Sequence, residues 1–141
     1  MWPRDFDKRL AAWAELRAKC QSATADEAMQ MINSWWFAAP WRNYHLHWDD
    51  QLAWPDPWQL LNDNIYCELA RGLGMLYTIS MIDHKDLTSS QLVLTEEGYN
   101  LVLVNQGKYI LNWDVDMTVN TPLPTGIKKR FTQEQANQLF Q

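Results

Sequence analysis

Cys67 stands in the stretch NDNIYCELARGLG, where an apolar period of 3.6 residues begins, so its thiol falls in or near the first turn of a helix, with Asp63 as the candidate N-cap. Unpaired N–H groups and the helix macrodipole at such a position favour the thiolate, the form in which cysteine attacks carbonyls or binds metals. A plainer reading competes with this. Followed back from Leu73 through Ala70, the same period turns Cys67 toward the apolar side of the helix, where a free cysteine is a small core side chain. A thiol nucleophile also needs a base, and the chain has only His45, His47 and His84 to offer. In HLHWDD, His45 and His47 share one side of an extended segment, and Asp49 or Asp50 could complete a His-His-carboxylate metal set. No second ligand cluster closes that set, so imidazole–backbone hydrogen bonding is the expectation and no metal is assigned. His84, in DHKD, reads as an exposed turn residue. Asp114 and Asp116 alternate along one strand face and read as solvated carboxylates. Gly72 and Gly74 fall in mid-helix, unlike a phosphate loop, which follows a strand; close helix packing explains them, and no cofactor is expected.

Tryptophan is the compositional anomaly. The chain has nine, with Trp2, Trp13, Trp35, Trp36, Trp41, Trp48, Trp54 and Trp58 crowded ahead of residue 60. Each buries a large ring and wants a partner for its indole N–H, so the cluster serves either as core or as an interface of aromatic anchors. The segment 35–58 is read as the partner surface, with Trp36, Trp41, Tyr44 and Trp48 as its binding residues. Trp54 and Trp58 are expected instead to pin the loop to the central helix.

With 141 residues and 47% apolar side chains, one domain over 1–141 with one core is expected. No apolar run reaches the roughly 18 residues of a membrane span. The opening MWPRDFDKRL lacks the apolar region of a signal peptide, which assigns the protein to a cytoplasm and argues against a disulfide. A net charge of −5 disfavours nucleic-acid phosphates and anionic membrane as partners; the one basic cluster, Lys128 to Arg130, reads as a solvated face.

The supporting elements follow from periodicity. Residues 5–21 form an amphipathic helix with Phe6, Leu10, Trp13, Arg17 and Cys20 along one side and Lys8, Arg9, Glu15 and Lys19 on the polar face. Thr24 and Glu27 stand in capping-box spacing and open a second helix. Three prolines between residues 37 and 57 leave an ordered, aromatic-pinned loop. Asp56-Pro57 starts a short helix, and the most buried helix of the chain follows to about Ile82. After DHKDLTSS the period becomes two: QLVLT, YNLVLV and KYILNWDVD read as three strands, and Thr132 with Gln135 caps a short last helix. Helices first and strands afterwards predict an α+β fold: N-terminal helices and a central buried helix packed on a small antiparallel meander.

Two resemblances follow from these motifs. CELARGLG followed by GYNLVLVNQGKYILNWD resembles the transglutaminase-like cysteine fold, in which a cysteine opens a helix and successive strands supply a histidine and an aspartate. The resemblance implies Cys67 as nucleophile and Asp114 as orienting acid, with a histidine recruited from the 45–47 loop, because the strand position falls on Tyr99 or Asn100 and neither exchanges protons as imidazole does. Over residues 33–130, the pattern WW…P…WPDPW.L..DN..C, then YILN, resembles small uncharacterised proteins of contractile-tailed bacteriophages, notably those of marine cyanobacteria. It implies a virion or assembly component in the host cytoplasm or virion. The leading expectation is therefore a non-enzymatic phage-type protein that docks on a protein partner through its aromatic segment. A transglutaminase-like hydrolase or acyltransferase is the alternative, and sugar binding on exposed indoles is a third reading.

Overall fold

Capping chemistry begins three of the helices at the expected places in the computed structural model, which describes residues 2–43, 46–123 and 125–139. Helix α1 (Phe6–Ser22) is followed by α2 (Ala25–Phe37), where Thr24 and Glu27 close the capping box reciprocally. Asp56 accepts from the Gln59 N–H at 2.8 Å and Pro57 takes the first position of α3 (Pro57–Asp63), which ends on Asn64 in the left-handed region. Helix α4 (Glu68–Met81) is the buried centre. Around it run β1 (Ser90–Thr95), β2 (Asn100–Val104), β3 (Tyr109–Leu111), β4 (Thr118–Val119) and β5 (Ile127–Thr132), and α5 (Gln133–Gln138) closes on its own Thr132–Gln135 capping box. The class is α+β, and no helix among the described residues is long and apolar enough to cross a membrane.

All strand pairs are antiparallel, in the order β4-β3-β2-β1-β5. The first three strands form the expected meander, and the two-residue β4 extends it beyond what was read from sequence. Strand β5 is an addition: IKKRFT, read from sequence as a basic cluster beyond the strands, returns to pair with β1. Its Lys128 and Arg130 point outward while Phe131 goes in, so the charges decorate an edge strand, where they discourage pairing with other chains. The third strand is shorter than KYILNWDVD suggested and stops at Leu111. Alternation sends Leu92, Val102, Val104 and Leu111 to the α4 side, whereas Val93, Leu101, Leu103 and Ile110 form a second cluster with Leu123 and Ile127.

At the heart of the helical layer, the Thr78 hydroxyl accepts from the indole N–H of Trp13 at 2.8 Å and of Trp36 at 3.0 Å, and donates to the Gly74 carbonyl at 2.8 Å. One side chain of α4 thereby anchors α1 and α2 together. Gly74 is what lets Trp36 approach: a Cβ there would lie 2.5 Å from its ring.

Four polar or aromatic residues depart from their expected places. Arg9, expected on the polar face, is buried, with Nε donating to the Leu61 carbonyl at 2.9 Å and Nη1 to the Arg4 carbonyl at 2.6 Å, so it ties α1 to the end of α3. His84 is also buried rather than exposed. Its Nε2 is 2.7 Å from the Ala23 carbonyl, and its Nδ1 accepts from the Asp86 N–H at 3.1 Å. Trp36 lies in the core. Of the two tryptophans expected to anchor the loop, Trp58 is 46% exposed, whereas Trp54 is buried against Phe131 of β5 at 4.8 Å and donates to the His47 carbonyl at 2.8 Å.

Thr78→Val keeps the shape but leaves two buried indole donors without an acceptor, at about 1–3 kcal/mol each. Denaturant unfolding should therefore show a loss of about 2–5 kcal/mol, whereas Thr78→Ser, which removes only a methyl group, should cost about 1 kcal/mol. Equal losses for the two variants would refute the role of the hydroxyl.

Burial also raises three phenols. Tyr66 and Tyr77, which donate to the carbonyls of Leu60 and Pro55, are shifted upward, and Tyr109 is pushed up to about 12, first by burial and then by its hydrogen bond to Asp26. Unfolded tyrosine ionises near pH ~10, so above that pH the unfolded chain sheds protons that the folded protein keeps. Stability is then full below about pH 10 and falls as pH rises beyond it. The urea midpoint should follow that course, and Tyr77→Phe should flatten the fall.

Candidate functional site

The N-terminus of α4 opens on a cleft of about 470 Å³. Its lining includes Cys67, Glu68 and Asn100 on one side and Trp41, His47 and Trp48 from the aromatic loop on the other. The loop is held there by backbone: the Tyr66 N–H donates to the Pro40 carbonyl at 3.2 Å and the Arg42 N–H to the Tyr66 carbonyl at 2.9 Å, making a short parallel bridge between Trp41 and Tyr66. Tyr44 and His45 lie outside the described residues.

Cys67 is the N-cap of α4 itself, one turn earlier in role than a capping Asp63 would have made it. Its Sγ accepts from the Ala70 N–H at 3.4 Å, and the residue is 4% exposed. The sulfur thus satisfies one of the orphan amide donors of the helix start. His47 lines the same cleft but is exposed on the loop.

Around the cysteine the polar groups are committed to one another. Glu68 Oε1 accepts from the Asn100 backbone N–H at 2.6 Å, and the Trp48 indole donates to Asn100 Oδ1 at 2.7 Å. Asn112, immediately after β3, donates through Nδ2 to the carbonyls of Asn100 (2.8 Å) and Glu68 (2.9 Å). Its Oδ1 accepts from Arg71 Nε at 2.6 Å, and its backbone N–H donates to Asn33 Oδ1 at 2.8 Å. Arg71 in turn lies 3.8 Å over the Phe37 ring and 5.1 Å from that of Trp41. Burial lowers the pKa of its guanidinium. One asparagine therefore joins α2, α4, β2 and β3, and Gly72 makes room for it, since a Cβ there would meet Asn112 Nδ2 at 3.0 Å.

The residues singled out from sequence are distributed unevenly over this arrangement. Cys67, His47, Trp41 and Trp48 come together at the cleft. Asp114 does not line it: the residue lies in the exposed bend after β3, where its carboxylate accepts from the Val115 N–H at 2.7 Å and its carbonyl from Asn33. The strand position at issue is Asn100, an amide already engaged on three sides. Trp36 is 1% exposed and takes no part in any surface, so its assignment to the binding set is corrected. Trp48 is half-buried, packed edge-on against Trp54 at 74°, and Trp41 is 51% exposed. An edge-on pair and a Trp carrying an arginine differ from the flat twin platform that sugar stacking requires. Among the described residues, no group of three or more His, Cys, Asp or Glu is placed to hold a metal ion.

Asn112, Glu68, Arg71 and Asn33 were not singled out. One signal was present: Asn33 sits on the apolar stripe of α2, four residues after Met29 and three before Trp36. A polar residue in such a stripe implies a buried partner.

Comparison with models of known protein families, with curated proteins and with solved structures gives no match to this chain.

The capping role of Cys67 makes a prediction opposite to that for a simple apolar filler. Cys67→Ser supplies a preferred N-cap oxygen and should unfold within a few tenths of a kcal/mol of the parent, whereas Cys67→Ala should lose about 1 kcal/mol. Both cysteines are buried, and burial pushes the Cys20 thiol up to about 11, so a disulfide reagent at neutral pH should label the native protein slowly. Rapid stoichiometric labelling would contradict this structure of the site.

Proposed function

We propose that the protein is a non-enzymatic interaction component whose partner, another protein, is gripped by the exposed part of the segment 41–58. The observation that carries this reading is the exposure of large apolar side chains along one segment: Trp41 at 51%, Leu52 at 102% and Trp58 at 46%. Trp41 is also held in place by Arg71 and by the bridge to Tyr66, so little side-chain freedom is left to lose on binding. Rigid exposed tryptophans of this kind carry a disproportionate share of interface energy. The resemblance to small proteins of contractile-tailed phages supports a partner met in the host cytoplasm or in the virion during assembly.

A second reading rests on a separate observation, that His47 and Cys67 line the same cleft. In it the Cys67 sulfur attacks an amide carbonyl, the C–N bond breaks, and the amine leaves with the proton that His47 took from the thiol; water or a second amine then displaces the thioester and returns the thiol. The transglutaminase-like resemblance supplies the nucleophile, and the loop histidine stands in for its strand histidine.

One pair of experiments separates the two. A photo-crosslinking amino acid at position 52 should join the protein to a defined partner in the producing cell, and the same group at position 18 on the exposed side of α1 should not. Trp41→Ala should weaken that crosslink while leaving the melting temperature within a few degrees of the parent, since the ring is half exposed. Equal crosslinking from both positions would sink the interaction reading. Incorporation of a fluorescent primary amine into casein, abolished by Cys67→Ala and by His47→Ala, would establish the enzymatic one.

A further inference from the structure

On a different part of the molecule, the outer faces of α1 and α2 diverge to leave a trough of about 980 Å³. It shares no lining residue with the cleft at Cys67. Along α2 the lining recurs at helical spacing, from Asp26 and Glu27 through Gln30, Met31 and Ser34 to Trp35, so the trough follows the whole helix. Thirteen residues at a rise of 1.5 Å give it a length of about 20 Å.

Floor and rim differ in character. Leu16, Met31, Trp35 and Met117 provide apolar surface, with two thioethers that adapt to the shape of an occupant. Small residues, Ala12 and Ser34, leave the space open between them. The charged lining residues are Glu15, Asp26 and Glu27 against a single Lys19, and that ammonium is already 3.0 Å from Glu15. The rim is therefore net acidic on a chain whose net charge is −5.

We propose that this trough binds a cationic amphipathic helix of a partner protein, about three to four turns long. The length of α2 and the helical recurrence of its lining residues suit a third helix laid into the groove, its apolar stripe on Met31 and Trp35 and its lysines or arginines toward Glu15, Asp26 and Glu27. A second copy of this chain fits poorly, because an isologous contact would bring two acidic rims together. The proposal is independent of the reading of segment 41–58.

The test uses the intact protein and a fluorescently labelled model peptide of leucine and lysine in amphipathic register, of about 14 residues. Fluorescence polarisation should show saturable binding that weakens with salt. Ser34→Arg fills the groove and adds a positive charge to its wall, and it should reduce affinity at least about tenfold. Ala14→Arg adds the same charge on α1 outside the trough and should leave affinity within about threefold. Glu15→Lys, exposed and free of core contacts, is the second variant and should weaken binding as Ser34→Arg does. Equal effects of Ser34→Arg and Ala14→Arg, or equally tight binding of the leucine–glutamate counterpart peptide or of a scrambled leucine–lysine sequence, would overturn the proposal. A concentration-dependent dimer in sedimentation that Ser34→Arg dissolves would overturn it in favour of a second copy.

Discussion

The Thr78 hydroxyl is the point on which the helical layer depends. Tryptophan brings the largest apolar surface available to a core, but its N–H must be satisfied once water is gone, and a core crowded with indoles multiplies that demand. Here a single oxygen on the central helix receives two of them, from α1 and from α2, and donates its own hydrogen bond to the Gly74 carbonyl one turn earlier. Three helices are thereby oriented by one residue. Packing alone would tolerate some rotation of each helix; two directed hydrogen bonds into one acceptor do not.

The Cys67 cleft repeats the same economy with amides. Asn112 spends both its carbonyl and its NH₂ group on neighbours from two elements, and Asn33 and Arg71 complete the set. Such a network is rigid because each member is partnered, and an incomplete one in a buried place would cost more than an apolar substitute. Its effect is to hold Glu68, Asn100 and the start of α4 in register, so that the aromatic loop has a fixed wall to lean on.

What could be read beforehand divides along the range of the interactions. The capping boxes at Thr24 and Thr132, the Asp56-Pro57 start and the buried face of α4 are written within a few residues, and all were legible. The burial of Arg9, of His84 and of Asn112 depends on carbonyls 52, 61 and 44 residues away, respectively, and a polar side chain in a helix or turn carries no mark of such a partner. Strand β5 was missed for a related reason. KKR has the composition of a solvated charge cluster, and only pairing with β1 makes its alternation meaningful. At the site, Cys67 was legible as a helix-start residue, but the division of the expected pair, Trp54 buried and Trp58 half exposed, turns on the packing of Phe131, which sequence adjacency does not disclose.

Strand β5 also does two jobs in one stroke of pairing. Helix α4 packs on β1, β2 and β3 without it, yet two fixtures of the aromatic loop belong to this strand: Phe131, which covers Trp54, and Lys129, which pairs with Asp49. Without residues 127–132 in place, β1 presents an open hydrogen-bonding edge and Trp54 lacks its cover. A chain in which residues 127–132 are unpaired is therefore more adhesive than the finished protein, because one strand closes the sheet edge and covers the indole at once.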